Sequence, residues 1–390
     1  TVADFARSGA RNDGSIASPM KITGITLWHR RLPLSKPYWL SGGRLKFEAL
    51  DSTFVRVETD GGLVGWGEGC PWGETYLPAF GGGIRAAMEL LAPVLVGENP
   101  GDIDRLNRAM DQALPGHPYA KSALDMALWD IAGKRAGAPL FELFGGAEGE
   151  GVAVNSSIST GTPDEMVALI DAARAKGYRT HSAKIGGADI AGDIARIEAI
   201  EAALPADENV TYDINRAWVP GVAIQVMQSV AGSARGWFEQ PCQTLDQCAV
   251  VAANTTQPIM LDECLHTFQD HLDAWSRSAG QGCKIKPNRL GGLTRTRQVR
   301  DFCVAVGWQM HVEDVGGTVL ADTAALHLAL STPEENRLAS WLAHAHLVDD
   351  YAPGEGACNE GGMVRLAADK PGIGVEPPED WLCESLGHFS

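Results

Sequence analysis

The sequence predicts an α/β protein in which a closed parallel barrel follows an α+β unit. Three observations predict it. Short apolar runs near 151–158, 178–185, 209–214, 236–240, 258–262, 282–287, 307–312 and 337–342 start 27, 31, 27, 22, 24, 25 and 30 residues apart, with helical patterns between them. A strand, a loop, a helix and a second loop need about that length. Five of these runs close on ionisable residues: Lys184, Asp213, Glu239, Asp262 and Lys286. The part before 151 is patterned differently, with long alternating strands followed by amphipathic helices.

Taken in order, residues 1–19 are polar and aperiodic and read as a disordered leader or an appended remnant; Met20 reads as a natural start. An N-terminal α+β capping domain is expected over 20–146. Its strands run over Lys21–Leu32 and Phe47–Thr59, then LVGWGE after the turn TDGG, a strong hairpin signal. Helices follow over 83–96, 102–114 and 119–137, the last with Ala120, Ala123, Leu124, Ala127, Leu128 and Ile131 on one face and Gly137 as a stop. The barrel occupies 147–346, with helices such as 163–177 and 188–204 between strands. A C-terminal segment over 347–390 has no period of its own. Within it, a short strand near GGMVRL and the run PGIGV are expected to return to the first domain.

The bulk numbers narrow the function. A net charge of -17 disfavours nucleic acid and anionic membranes. No run of eighteen apolar residues suggests a membrane span, and no signal peptide opens the chain. The eight cysteines (Cys70, Cys242, Cys248, Cys264, Cys283, Cys303, Cys358, Cys383) are dispersed without a CxxC pair and read as reduced. A cytoplasmic enzyme is the default expectation.

The five charged strand ends carry the chemistry. Successive βα units bring one group each to the same rim of the barrel, where active sites lie. Three converging carboxylates, Asp213, Glu239 and Asp262, would repel each other without a cation. Mg²⁺, a hard ion that takes oxygen ligands, resolves this. The bland alternative is that each acid caps the following helix. Lys184 and Lys286 lie about four strands of eight apart and face each other across the mouth. A lysine beside a divalent cation and a second lysine has a lowered pKa and serves as a base. Lys284 shares the face by alternation and reads as a salt-bridge partner; Lys286 is preferred because it leads into the loop PNRLGGLTRTRQ.

The motifs GWGE at 65–68, AKSALDMALWDIAGK at 120–134, SAKIGG at 182–187, YDIN at 212–215, FEQP at 238–241, LDEC at 261–264, KPNRLGG at 286–292 and PGIGV at 371–375 together resemble the enolase superfamily, in its mandelate racemase/muconate lactonizing enzyme-like branch. The resemblance implies a modified (β/α)7β TIM barrel with an α+β cap. It implies Mg²⁺ on Asp213, Glu239 and Asp262, with Lys184 and Lys286 as the acid/base pair. It favours Asp262 over Glu263 as third ligand, leaving Glu263, Asn215 and Ser182 behind the reacting groups. Ser182 stands where the branch usually carries the first lysine of Lys-x-Lys, which argues against plain muconate cycloisomerase or dipeptide epimerase activity. A small amino-acid-like carboxylate as substrate and a homo-oligomeric state are further expectations.

KPYWLSGGRLKFEALDS (36–52), CPWGETY (70–76) and ALPGHPYAKS (113–122) look closer to enzymes of this superfamily that act on proline derivatives. These are the cis-3-hydroxy-L-proline dehydratases and the epimerases of proline betaine and hydroxyproline betaine. The dehydration is preferred, giving Δ1-pyrroline-2-carboxylate; racemisation or 2-epimerisation is the alternative. A non-catalytic small-molecule binding protein on the same barrel is the alternative of another class. Tyr38, Trp39, Trp72 and Tyr76 in the cap loops offer cation–π contact to a substrate ammonium, or ordinary cap packing. Glu313, after the seventh barrel strand, is the acid suited to that ammonium.

Overall fold

The computed structural model describes residues 20–40, 43–187 and 189–390; the leader over 1–19 lies outside them. The first sheet is a long hairpin with one further strand. β1 (Ile22–Leu40) pairs antiparallel with β2 (Leu45–Thr59), and β2 with β3 (Val64–Gly69). β1 runs on past Leu32, where alternation ended it. A register shift between Pro33 and Tyr38 breaks the period-two pattern, as a bulge does where proline sits in a strand. It also carries Tyr38 out over the barrel.

Helices α1 (Gly81–Leu95), α2 (Ile103–Ala113) and α3 (Pro118–Ala136) complete the cap. α3 lies directly on β3. A Cβ on Gly65 would stand 2.1 Å from the Ala127 carbonyl oxygen, and one on Gly67 1.9 Å from that of Ala123. The glycines of GWGE therefore permit backbone-to-backbone packing. The other side of α3 meets the barrel. Asp125 accepts from the backbone N–H (2.9 Å) and hydroxyl (2.6 Å) of Thr294, and the Trp129 indole donates to the same hydroxyl at 2.8 Å. Glu68 at the end of β3 is buried and reaches the barrel as well. It accepts from Ser52 Oγ, and from the backbone N–H and hydroxyl of Thr318.

β4 (Val152–Ala153) leads into eight parallel strands in chain order. They are β5 (Asn155–Ile158), β6 (Thr180–Lys184), β7 (Asn209–Asp213), β8 (Trp237–Glu239), β9 (Ile259–Leu261), β10 (Gly282–Ile285), β11 (Gln309–Val312) and β12 (Arg337–Ala339). The circle closes through a parallel bridge between Val154 and Ser340. Every apolar run yields one barrel strand. Helix starts between them use local signals: Thr162 and Glu165, and Thr244 and Gln247, form reciprocal capping boxes.

The C-terminal segment divides. The strand at GGMVRL does not return to the cap. β14 (Met363–Leu366) forms a hairpin with β13 (Ala357–Glu360) and pairs with β4, whose free edge at the barrel entry takes it. PGIGV does reach the cap helix: Ile373 N–H donates to Asp130 of α3 at 2.8 Å. β15 (Gly387–Phe389) then pairs with β1. All eight cysteines are free. Among the described residues no helix is long and apolar enough to cross a membrane.

Candidate active site

The ends of β6, β7 and β8 place Lys184, Asp213 and Glu239 side by side in register. Asp262 follows β9 and Lys286 follows β10 directly. All five line one cavity under the cap, together with Tyr38, Trp72, Tyr76, Ser182, Asn215, Lys284, Glu313 and Trp341. Lys184 and Lys286 stand four strands apart round the barrel.

The lysines rest on the acids. Lys184 Nζ lies 2.5 Å from Asp213 Oδ2 and 3.0 Å from Asn215 Oδ1. Lys286 Nζ lies 2.9 Å from Asp262 Oδ2 and 3.5 Å from Glu313 Oε1. Lys284 Nζ is 3.2 Å from both Glu239 Oε2 and Glu313 Oε1. Arg289 Nη1 donates to Asp262 Oδ1 at 2.6 Å. With these side chains folded inward the cavity holds about 50 Å³ of free space. Ligand sites usually offer roughly 300–1,000 Å³, so the free space here is smaller than that of a typical ligand site.

The electrostatics follow from burial and these neighbours. Burial opposes the charge on Lys184, but Asp213 more than offsets it and holds the ammonium above the usual lysine range. The lowered lysine expected beside a cation is thus not what the protein groups alone produce. Burial raises Asp262, yet Arg289 and then Lys286 outweigh it and keep the carboxyl well below the usual range. Burial and the Asp213 charge push Glu239 well up. Burial, with Asp262 and Asp213, pushes Glu263 to about 7, and burial pushes Asp314 to about 8.

Among the described residues, no three His, Cys, Asp or Glu side chains already form a metal-holding group; the cations on Asp213 and Asp262 occupy their oxygens. The donor set nevertheless fits a hard divalent ion. Glu239 Oε2 is buried without an aligned hydrogen bond, and the Lys284 ammonium stands 3.2 Å from it. A buried carboxylate between two further acids, already drawing a cation, is an environment suited to a hard divalent ion.

The backbone is strained at this rim. Asn215, Arg216 and Gln240 have φ of 44°, 65° and 38°, left-handed values that cost non-glycine residues about 1–3 kcal/mol each and cluster at functional sites. At Gln240 the turn has a visible use: its Oε1 accepts from the N–H of Asp262 (2.8 Å) and of Cys264 (3.3 Å), fixing the acid after β9.

The aromatics form a lid. Tyr38 meets Trp72 edge-on at 5.0 Å, and Trp72 meets Trp341 at 5.7 Å. The Tyr38 hydroxyl (3.3 Å) and the Trp341 indole (2.9 Å) both donate to Ser157 Oγ. Tyr38 also lies 5.8 Å from the Lys184 ammonium. Trp39 is not in this lid. It is 50% exposed and faces Lys46, because neighbours in a strand point to opposite faces. Glu263 is buried behind the cavity, accepting from Asn215 Nδ2 at 3.2 Å. His311 is buried directly behind the lining, its Nδ1 2.8 Å from Nδ2 of Asn155, which lines the cavity.

Sequence reasoning passed over Trp341, Gln240 and Arg289. Arg289 had a readable signal, since it lies three residues after Lys286 on a single helical turn (Pro287–Leu290) and so on the same face. Trp341 follows the last barrel strand with nothing local to mark it.

Comparison with known proteins agrees with this architecture. Residues 23–145 match the mandelate racemase/muconate lactonizing enzyme N-terminal domain, and 165–381 match the enolase C-terminal domain-like family. A cis-3-hydroxy-L-proline dehydratase of Roseibium aggregatum is 36% identical over 95% of this chain and 100% of its own. An N-succinyl-L-Arg/Lys racemase of Bacillus cereus is 28% identical over 94% of this chain and 98% of its own. A crystal structure of an enolase superfamily member from Roseovarius nubinhibens, complexed with magnesium, superposes with a TM-score of 0.91 at 62% identity, covering 95% and 99% of the two chains.

Proposed function

We propose that this chain, which belongs to the mandelate racemase/muconate lactonizing enzyme family of the enolase superfamily, is a Mg²⁺-dependent dehydratase of cis-3-hydroxy-L-proline. The observation that carries the reading is the pair Lys184 and Lys286 on opposite sides of Asp213, Glu239 and Asp262 in one cavity. The Roseibium aggregatum relative supports the choice of substrate.

Asp213, Glu239 and Asp262 would hold the ion. Mg²⁺ there would act as a Lewis acid toward a substrate carboxylate and offset the charge of its enediolate. The protein's own groups do the rest. Glu313 offers Oε2, buried and without a partner, to the ring ammonium. One lysine takes the α-proton. The other, across the barrel, delivers a proton to the departing 3-hydroxyl, which leaves as water. The enamine so formed tautomerises to Δ1-pyrroline-2-carboxylate. The lid of Tyr38, Trp72 and Trp341 excludes bulk water from these proton transfers.

A second reading is favoured by that lid. Three aromatic rings over an anionic site suit a quaternary ammonium, as in proline betaine, where the second lysine would return a proton to the opposite face of Cα. Incubation with cis-3-hydroxy-L-proline, with and without Mg²⁺, followed by an assay for the cyclic imine, tests the first reading. Absence of imine together with deuterium exchange at Cα of a betaine would sink it and leave the second.

A further inference from the structure

The chain that leaves the barrel after β12 reaches back into the lid. Residues 344–348 form a strap fixed at both ends. His344 donates its backbone N–H to Asp322 Oδ2 at 2.9 Å, and its Nδ1 lies 2.6 Å from the same oxygen. Asp322 is fully buried in the helix Val319–Leu330, packed on the barrel. At the other end Val348 N–H donates to the Pro33 carbonyl at 2.9 Å, and Leu347 bridges Leu34 antiparallel. The strap therefore joins the barrel to β1 at the register shift that carries Tyr38 over the cavity.

Between these anchors stands His346. Its ring stacks on Trp341, with centroids 5.1 Å and planes 23° apart, and meets Tyr38 almost perpendicular at 5.4 Å. Tyr38 and Trp341 touch each other at 6.1 Å. Ser157 holds the same two side chains by their polar ends, the hydroxyl and the indole N–H. A ring held by one hydrogen bond can pivot about it, and a contact on the body of the ring removes that freedom. His346 supplies such a contact to both rings at once. It does not line the cavity itself, so it acts through its neighbours. Burial lowers the imidazole, Asp322 raises it, and His344 and Lys184 lower it, leaving it below the usual histidine range and neutral. A neutral ring behind Trp341 leaves the indole face to a substrate ammonium, where an imidazolium would compete for it.

We propose that His346 is a positioning residue of the substrate site: it fixes the rings of Trp341 and Tyr38 over the cavity, and so sets the affinity for the substrate rather than the rate of proton transfer. That the rings meet a substrate ammonium rests on the function proposed above; that His346 fixes them does not.

Two measurements on His346→Ala, His346→Phe and His346→Gln test this. The first is steady-state kinetics of the Mg²⁺-loaded enzyme on whichever substrate the parent turns over, cis-3-hydroxy-L-proline or proline betaine. The second is the hydrogen-exchange rate of the Trp341 indole N–H by NMR, the resonance being assigned by its absence in Trp341→Phe. His346→Ala is expected to raise KM about tenfold with kcat within about threefold of the parent's, and to speed the indole exchange about tenfold or more. His346→Phe keeps a ring to stack and should restore both; His346→Gln keeps a polar group without a ring and should restore neither. An unchanged KM in His346→Ala, a fall in kcat as large as the rise in KM, or equal recovery by the Gln and Phe variants would each overturn the proposal. A parent that turns over neither substrate sinks the function proposed above instead. The indole exchange then decides alone, and a rate unchanged in His346→Ala, or restored by His346→Gln as fully as by His346→Phe, overturns the positioning role.

Discussion

The Lys184 ammonium lies 2.5 Å from Oδ2 of Asp213, its neighbour in register across β6 and β7. The ammonium and the carboxylate thus hold each other until something takes the carboxylate. Lys286 and Asp262 repeat the arrangement four strands away. If the lysines divide the proton transfers, Lys184→Met and Lys286→Met each lower kcat by about 10³-fold or more, but they differ in exchange. The variant that keeps the base still washes deuterium into Cα in D₂O, without product; the other does neither. Proton NMR of the substrate reads both, and turnover near the parent rate in either variant would remove that lysine from the mechanism.

Because Asp213 raises Lys184, protons and Mg²⁺ compete at this pair. An ion that draws Asp213 away lowers the lysine toward its ordinary value, and a base works only when deprotonated. The rising limb of the kcat/KM profile is therefore expected to move to lower pH as Mg²⁺ goes from limiting to saturating. Chelation should abolish turnover, and Asp262→Asn should need far more Mg²⁺ for any activity. A limb that stays fixed across Mg²⁺ concentrations contradicts the coupling.

Much of this is readable in the sequence. The rim is legible because a βα unit repeats at a nearly fixed length, so charged strand ends at 184, 213, 239, 262 and 286 meet. The lid was only half legible. Tyr38 and Trp39 are chemically equivalent candidates on opposite faces of one strand, and which of them faces the cavity depends on the extent of the register shift between Pro33 and Tyr38. Trp341 and Gln240 act through the closure of the barrel and a left-handed turn, and both are properties of the assembled circle. The destination of β14 is not legible in the sequence for the same reason: the edge it pairs with belongs to β4, some two hundred residues earlier.

The Glu68 contribution to stability should fall as pH rises from about 4.5 to 7. Burial pushes Glu68 from 4.5 up to about 7, against hydrogen bonds from Ser52 and Thr318 that favour its charged form. A carboxyl raised on folding binds its proton more tightly in the native state. Its contribution is complete below the unfolded pKa and is lost as pH climbs through the folded one. The loss between about pH 4.5 and 7 is on the order of 3 kcal/mol. Thermal melts of the Mg²⁺-free parent and of Glu68→Gln across this range isolate that contribution: the parent's midpoint should fall relative to the variant's as pH rises, against the opposite trend set by buried histidines such as His327, which burial lowers to about 4. An unchanged slope in that variant would place the titration elsewhere.

Tyr38 and Trp39 give an internal control for the lid. Tyr38→Ala removes an edge-on contact to Trp72 and a hydrogen bond to Ser157, and it opens the space above Lys184. Loss of an aromatic contact and its packing at a partly buried site is worth roughly 1–2 kcal/mol, so KM should rise about tenfold, with a smaller fall in kcat as water enters. Tyr38→Phe keeps the ring and should recover most of this. Trp39→Ala strips a larger side chain from the same strand, yet its ring faces solvent and Lys46. Its KM should change by less than about twofold, as surface substitutions usually do. Steady-state kinetics of the three variants decide the matter: an effect of Trp39→Ala equal to that of Tyr38→Ala would mean that the cap loop, rather than the ring over Lys184, governs substrate binding.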